Sequence, residues 1–318
     1  MKIMKYKIIG IKCCLAILLL FLSSISVNAQ VEPMFTQYMF NETFVNPAYT
    51  GSHDNLASTI LYRNQWVGIE GAPKTQTVSL HAPIRLTKIA LGFSFLNESI
   101  GVSKKMLLNG NFSYRIMMDK GTLSFGVQGG ILNDQENLTQ VQTNVSGDNQ
   151  FSSDVRKYFL PNAGFGIYFY NKKFYAGFSI PRLLENEVNA AHPDQIKNNI
   201  GNFTVWHYYF TSGYVFTLNP NVKFKPSFML KAIANSPLEV DLNANFIFND
   251  LLWVGGGYRT GDAISGMVGL QLTNKIRIGY SYDYTLSNLQ QFNSGTHEFV
   301  LNYDVSLDKL KYLSPRYF

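Results

Sequence analysis

The segment LEVDLNANFIF, residues 238–248, restricts the fold of this chain more than any other feature. Every second residue from Leu238 to Phe248 is apolar, and the residues between them are polar or charged except for Ile247. Because successive side chains of a β-strand point to opposite faces, the segment predicts a strand with one apolar and one polar face. The apolar face must contact either the interior of a β-sandwich or membrane lipid.

The same alternation recurs along the chain. Segments VKFKPSFMLKA (222–232) and KIRIGYSYDYTL (275–286) place aliphatic and aromatic side chains on one face and mainly charged or hydroxyl side chains on the other. Other segments of this kind lie near 56–64, 75–82, 88–97, 105–117, 121–132, 160–170, 173–180, 203–217, 251–260, 264–272 and 296–305. With the opening segment they predict about fourteen strands and an all-β fold.

The lengths of the predicted connections distinguish a barrel in a membrane from a β-sandwich. Connections after even-numbered strands are short, as at 83–87, whereas several after odd-numbered strands are long, including 133–159, 181–202 and the eight-residue run NESIGVSK (97–104). Two odd-side connections are short, so the rule is a tendency. Short turns at one end, longer loops at the other and an even strand count are typical of bacterial outer-membrane barrels. We therefore predict a transmembrane antiparallel up-and-down outer-membrane β-barrel of about 14 strands, with a secreted β-sandwich as the alternative.

The first 29 residues have the features of a secretory signal peptide. Lysines precede the apolar run CLAILLLFL, and Ala29 stands before Gln30 at the predicted cleavage point. Four regions are expected: a signal peptide (1–29), a periplasmic N-terminal lead-in (30–54), the barrel (55–305) and a periplasmic C-terminal tail (306–318). The even strand count predicts that both termini lie in the periplasm.

Composition argues against several classes of function. Of 27 basic side chains four lysines lie in the leader, which leaves 23 against 21 acidic ones, a formal charge of +2. This near balance gives no reason to expect a nucleic-acid partner. Cys13 and Cys14 also lie in the leader, so thiolate sites and disulfides are excluded from the mature chain.

No constellation of residues predicts catalysis. No two histidines are four residues apart, and no G-x-S-x-G motif is present. His53 beside Asp54 is the kind of pair that an outer-membrane hydrolase would need, but a polar loop is the simpler interpretation. We therefore predict a protein that is not an enzyme and needs no metal or cofactor.

Charged residues are predicted to face the lumen of the barrel. The basic residues are Lys223, Lys225, Lys231, Lys275 and Arg277, and the acidic residues among them are Glu239, Asp241, Asp283 and Glu298. In a porin such charges tune ion selectivity, and in an occluded barrel they pair across strands. The sequence leaves both possibilities open, so a general diffusion porin or solute channel is the alternative function.

Several unusual motifs carry a resemblance to a known family. They are QYMFN (37–41), NPAY (46–49) followed by Gly51, YRNQWVG (62–68), GAPKTQ (71–76) and SPRYF (314–318). With these motifs the chain resembles the PorP/SprF family of outer-membrane proteins of the type IX secretion system. The resemblance is dense over residues 35–84 and at the end of the chain. Glu42-Thr43 departs from the family, which tends to have proline and an aliphatic residue there.

The resemblance implies an outer-membrane barrel that works with the secretion and gliding machinery. Members are tied to export or surface anchoring of large adhesins that carry a type IX sorting domain, and one branch is linked to the periplasmic motor complex. No catalytic residue is carried over from the family.

We expect partner contacts at three places. The first outward loop holds a large amphipathic ring on a tightly bent backbone, and we expect it either to fold into the lumen or to dock an exported adhesin. The alternative is that Trp66 is an interfacial aromatic. The lead-in is expected to fold against or into the base of the barrel, because Pro47 fixes an extended turn. The candidate residues are Gln65, Trp66, Gly68, Gly71, Pro73 and Lys74 in the loop, Asn46, Pro47 and Tyr49 in the lead-in, and Arg316, Tyr317 and Phe318 in the tail.

Overall fold

The fold is an antiparallel barrel in which almost all regular structure is β-strand. A computed structural model describes residues 33–137, 155–189, 192–200, 206–234 and 236–306, with side chains described outside 155–159, 185–189 and 192–200.

Seventeen strands are present in the described residues. They are β1 (Leu56–Asn64), β2 (Lys74–Pro83), β3 (Ile89–Ile100), β4 (Ser103–Met118), β5 (Gly121–Glu136), β6 (Val155–Tyr170), β7 (Phe174–Ile180), β8 (Leu184–Asn189), β9 (His192–Ile200), β10 (Tyr208–Tyr214), β11 (Phe216–Asn219), β12 (Val222–Ala232), β13 (Glu239–Phe248), β14 (Leu252–Arg259), β15 (Ala263–Gln271), β16 (Ile276–Thr285) and β17 (Thr296–Val305). Strands β8 and β9 form a separate hairpin, and β10 and β11 together make one strand of the wall, interrupted at Val215. The wall therefore has the predicted fourteen strands.

The barrel closes between its first and last strands. Strand β1 pairs with β17 in antiparallel register, with Leu56 opposite Val305 and Asn64 opposite His297. Every other neighbour in the wall is also antiparallel, and β7 pairs with β10 across the β8–β9 insertion. Closure satisfies the backbone of both terminal strands, as a membrane-spanning sheet requires. The prediction of a closed up-and-down barrel is confirmed, and the sandwich alternative is excluded.

The two faces of β13 show which environment each meets. Leu242 and Phe246 point outward and are 50% and 42% exposed, whereas Asp241 and Asn245 point into the barrel and are 4% and 1% exposed. A β-sandwich would bury the apolar row and expose the charged one. The inverted pattern is that of a barrel whose outer face contacts lipid.

The exception to the alternation, at Ile247, has a structural reason. It points into the lumen and is fully buried in an apolar cluster that includes Phe40 and Trp253. An apolar side chain on the polar face thus indicates that something apolar occupies the lumen.

The barrel has two distinct ends. At the turn end β1 begins, β17 ends and short turns such as Asp119–Lys120 join neighbouring strands; at the loop end lie the β1–β2 loop (65–73), the β8–β9 hairpin and the β16–β17 loop (286–295). The longer connection expected around NESIGVSK is wrong, because β3 and β4 extend until only Gly101 and Val102 separate them. Gly101 takes a φ of +55°, which suits the first position of a two-residue hairpin turn.

In the residues that the structure describes, helical structure is limited to short turns. Three of them, Tyr38–Phe40, Glu42–Val45 and Pro47–Tyr49, precede the barrel in sequence, and a fourth spans Asn288–Phe292. Within the described ranges no helix is long and apolar enough to cross a membrane.

Candidate functional site: the filled lumen and the loop end

Residues 33–55, here called the lumen segment, run through the inside of the barrel. At the loop end, Thr36 accepts a hydrogen bond from Arg63 near the end of β1 (2.8 Å). Further down, the Phe40 carbonyl accepts from the Thr59 hydroxyl at 3.2 Å. At the turn end, the Gly51 carbonyl accepts from Arg115 at 2.8 Å. The segment was predicted to fold against or into the base of the barrel; it lies within the lumen, and its predicted periplasmic location stays a prediction.

A buried charge cluster fixes the segment at the loop end. Arg63 is 1% exposed and pairs with Asp283 at 2.8 Å and with Glu298 at 3.0 Å. The backbone N–H groups of Thr36 and Gln37 donate to the two oxygens of Glu298, at 2.9 and 2.7 Å. The Thr36 hydroxyl donates to Asp283. Each carboxylate therefore joins the wall to the segment.

A second arginine extends this cluster. Arg259 pairs with Asp241 at 2.7 Å and with Asp262 at 3.1 Å, and it also donates to the Phe35 carbonyl at 3.3 Å. Asp241 is one of the charges predicted to face the lumen. These inward charges pair across strands and with the segment, as expected for an occluded barrel.

The middle of the segment makes an apolar core inside the lumen. Tyr38 and Met39 are almost completely buried, and the Phe40 ring meets Trp253 edge-on with centroids 5.3 Å apart. The Arg277 guanidinium lies 4.8 Å from the Trp253 ring, a cation–π contact. Apolar side chains of the wall and of the segment thus exclude water from the centre of the barrel.

One charge of the segment lies in this water-poor region. Glu42 is fully buried, and the Lys225 ammonium is its nearby opposite charge. Lys225 is also fully buried and lies over the rings of Tyr175 and Trp253. A buried carboxylate and ammonium in this setting require each other, since either one alone would be an uncompensated charge.

Asn46 and Pro47 form a tight turn against glycines of the wall. The Asn46 side chain accepts from the Ala48 N–H at 2.9 Å and donates to the Ile167 carbonyl at 3.0 Å. A Cβ atom on Gly126 would lie 2.2 Å from the Ala48 nitrogen. The turn can approach the wall this closely only because Gly126 has no side chain.

Tyr49 anchors the segment at the turn end. Its hydroxyl lies 3.0 Å from Nε2 of His53, whose Nδ1 lies 3.3 Å from Asp304. The Gly51 N–H donates to Nδ1 of His81 at 3.2 Å. His53 is thus tied to Tyr49 and Asp304, which gives it a structural role in place of the pair with Asp54 that a hydrolase would need.

Little space remains beside the lumen segment. A hollow of about 400 Å³ lies at the turn end, between Asp54 and the β2–β3 turn. The voids beside residues 33–53 hold about 50, 20, 10 and 30 Å³. One water molecule needs roughly 10–15 Å³ of such space. These voids can hold a few waters and no hydrated solute.

The β1–β2 loop is ordered by its neighbours at the loop end. Trp66 takes a φ of +46°, its N–H donates to the Thr296 hydroxyl at 3.1 Å, and the next N–H, of Val67, donates to the Gly295 carbonyl at 2.8 Å. The Gly71 carbonyl accepts from the N–H of Gly101 at 2.7 Å. The loop bridges the β16–β17 loop and the β3–β4 turn, with Trp66 half-buried.

The three predicted groups of site residues therefore do not form one site. Asn46, Pro47 and Tyr49 lie inside the barrel, and the loop residues from Gln65 to Lys74 lie together at the loop end. Arg316, Tyr317 and Phe318 lie outside the described residues.

Sequence reasoning did not identify the residues that fix the segment. Asp283 and Glu298 were recognised as inward charges, and Arg63 stood in a family motif, but their partners were not assigned. The available signal was an arginine at an inward position of β1 with two acids at inward positions of β16 and β17. In the part of the chain that the structure describes, no cluster of three or more His, Cys, Asp or Glu side chains could hold a metal ion.

A closed antiparallel barrel with an apolar outer row and a polar, filled interior defines an outer-membrane β-barrel protein. The family model described as type IX secretion system membrane protein PorP/SprF matches residues 27–303, and the chain therefore belongs to this family. No curated protein matches the chain.

Solved structures share the fold at low identity. CymD, a monoaromatic hydrocarbon channel, is 11% identical with a TM-score of 0.51, over 89% of this chain and 96% of that one. A FadL homologue of Pseudomonas aeruginosa is 11% identical with a TM-score of 0.46, over 86% and 95% of the two chains. Omp33 of Acinetobacter baumannii is 9% identical with a TM-score of 0.45, over 80% and 99%. At these identities the likeness concerns the fold alone.

Proposed function

We propose that this protein is a non-enzymatic partner barrel of type IX secretion, which takes part in the export or surface attachment of large adhesins. The filled lumen is the observation that carries this proposal. A barrel whose interior is occupied by its own chain contributes surfaces and not a passage. Membership of a secretion-system family gives those surfaces a set of partners.

Each end of the barrel is assigned to one side of the outer membrane. Short turns face the periplasm in barrels of this class and longer loops face outward, so the turn end is periplasmic and the loop end is at the cell surface. The end of β17 and the tail that follows it belong to the periplasmic side, where residues 316–318 are available to the motor complex. The outward β1–β2 loop is available to an exported adhesin with a type IX sorting domain.

The alternative function, a diffusion porin or solute channel, requires a continuous aqueous path. The charged clusters of Arg63 and Arg259 and the apolar core around Trp253 cross the lumen where such a path would run. Purified protein in planar bilayers is therefore expected to be nearly silent. Steady, ion-selective conductance of the unmodified protein would favour the porin.

A loop replacement tests docking at the surface. Residues 66–73 are replaced by a two-glycine turn, and barrel insertion and adhesin display are measured together. We expect normal insertion with loss of display, because the loop lies above the membrane-spanning wall. A matched control replaces the turn-end residues 84–88 in the same way. Normal display by the loop variant would refute docking there.

Affinity isolation tests the partnership itself. The protein is extracted from membranes in mild detergent, and the proteins that accompany it are identified. We expect an exported adhesin with a type IX sorting domain, a periplasmic motor component, or both. Isolation of the barrel without any such protein, together with normal adhesin display by cells that lack the barrel, would contradict the proposed function.

A further inference from the structure

The direction of the lumen segment has a topological consequence. Strand β1 begins at the turn end with Leu56, so the segment must arrive there from inside the barrel. The segment's C-terminal part is fixed at that end by Gly51, which accepts from Arg115, and by Thr50, whose carbonyl accepts from Ser113 at 2.6 Å. From this point towards the N-terminus, the chain therefore runs through the lumen towards the loop end.

The earlier residues lie at the opposite end. Thr36 and Gln37 bind Glu298, which is two residues from the start of β17, and Thr36 also binds Arg63, one residue from the end of β1. Both wall positions belong to the loop end. The segment therefore spans the membrane-embedded part of the lumen.

Pro33 lies slightly beyond Thr36 in the same direction. It lines a small void with Glu98 and Lys105, which face each other across β3 and β4 close to the Gly101 turn, and with Arg182, which follows β7. All of these belong to the loop end. The first described residue is thus at the mouth of the barrel on that side.

A return path through the lumen is blocked. An extended chain in a packed sheet occupies about 4.7 Å by about 10 Å in cross-section along its whole length. The voids beside residues 33–53 hold only about 50, 20, 10 and 30 Å³. None of these voids beside the described residues has room for a second extended chain.

We propose that the chain N-terminal to Pro33 leaves the barrel at the loop end, so that the mature N-terminus lies on the opposite side of the membrane from the end of β17. With the orientation of the proposed function, on which this statement of sides rests, the N-terminus is at the cell surface. This replaces the expectation that both termini are periplasmic. It also places the N-terminus at the same mouth as the β1–β2 loop, where an exported partner would meet it.

Cysteine labelling of intact cells tests the proposal. Cys13 and Cys14 belong to the predicted leader, so the mature chain gives no background. A short Gly-Ser insertion containing one cysteine is placed between Gln30 and Val31, which keeps the cleavage point. Two reference variants carry Lys172→Cys in the β6–β7 turn and Gln291→Cys in the β16–β17 loop, both at exposed positions.

A membrane-impermeant maleimide is applied before and after permeabilisation of the outer membrane. We expect the N-terminal reporter to behave like Gln291→Cys, with full labelling of intact cells. Lys172→Cys should show a several-fold rise on permeabilisation. Heat-modifiable migration on gels confirms that each barrel is folded.

The possible outcomes distinguish a wrong exit of the chain from a wrong orientation of the barrel. An N-terminal reporter that is labelled only after permeabilisation, or only after denaturation, overturns the exit at the loop end when Gln291→Cys is labelled from outside. If Lys172→Cys is instead the variant labelled from outside, the orientation in the proposed function is wrong; the exit at the loop end then survives only if the N-terminal reporter still follows Gln291→Cys.

Discussion

The lumen segment and the β1–β2 loop both carry the motifs that resemble the family, yet they lie in opposite physical environments. Residues 35–43 of the segment are all buried, whereas Trp66, Gly68 and Gly71 of the loop are partly or fully exposed. The segment binds the wall through buried charges and an apolar core; the loop is tied mainly by backbone hydrogen bonds to its neighbours. Equally distinctive sequence signals can therefore encode the interior of a protein and its contact surface.

The difference also separates the energetic roles of the two regions. Breaking a contact of the segment leaves a buried charge or cavity, and both are costly. Breaking a contact of the loop exposes groups that water can satisfy. We therefore expect substitutions in and around the segment to act on stability, and those in the loop to act on partner binding.

The largest expected effect comes from Arg63→Ala. It leaves Asp283 and Glu298 buried without their cation, and removal of one partner of a buried ion pair costs about 3–5 kcal/mol. Chemical unfolding of the purified barrel in detergent measures the loss. Lys120→Ala, at an exposed turn position, is the control and should have little effect. A loss as small as that of the control would mean that this cluster does not hold the segment.

Trp253 in the lumen and Trp66 in the β1–β2 loop offer a direct contrast. Trp253→Ala removes a 3% exposed ring from the lumen core and should cost about 3–5 kcal/mol. Trp66→Ala removes a half-buried ring from a residue with positive φ, and should change the free energy of unfolding by no more than about 1 kcal/mol. Adhesin display should nevertheless fall with Trp66→Ala. Equal losses of stability would remove the distinction between the regions.

Gly126→Val tests whether the segment closes the lumen. The new Cβ would meet the backbone of Ala48, and overpacking of this kind costs about 1–3 kcal/mol. We expect the Pro47 turn to be displaced and conductance in planar bilayers to rise. Gly129→Val on the same strand is the matched control, because a Cβ there meets nothing within 4 Å. A silent, unchanged barrel would show that the segment tolerates the clash.

The smallest expected effect is that of Lys223→Ala at the turn end. Lys223 pairs with Asp250, but their side chains are 15% and 30% exposed. Pairs that water reaches contribute only about 0–1 kcal/mol. Thermal unfolding should therefore barely change. A loss comparable to that of Arg63→Ala would contradict the view that burial, and not pairing alone, fixes the barrel interior.

Much of the wall could be predicted from the sequence, because a strand with one apolar face repeats every two residues and needs no tertiary information. The faces of β13 and β16 followed from this rule, and Ile247 was visible as its exception. The ends of β3 and β4 were predicted poorly, since strands that extend beyond the membrane no longer need an apolar face. A polar strand extension and a loop look alike in sequence.

What the sequence by itself determined about this protein is therefore the strand order, the outward face and the class of protein, since these depend on local periodicity and on short motifs. The tertiary structure decided that the lumen is filled and that the segment before β1 runs from the loop end to the turn end. It also decided that Arg63 pairs with two acids on strands that are far from β1 in sequence. These features depend on pairs such as Thr36 and Asp283, which are 247 residues apart. No local pattern identifies such partners, because closure of the barrel is what brings them together.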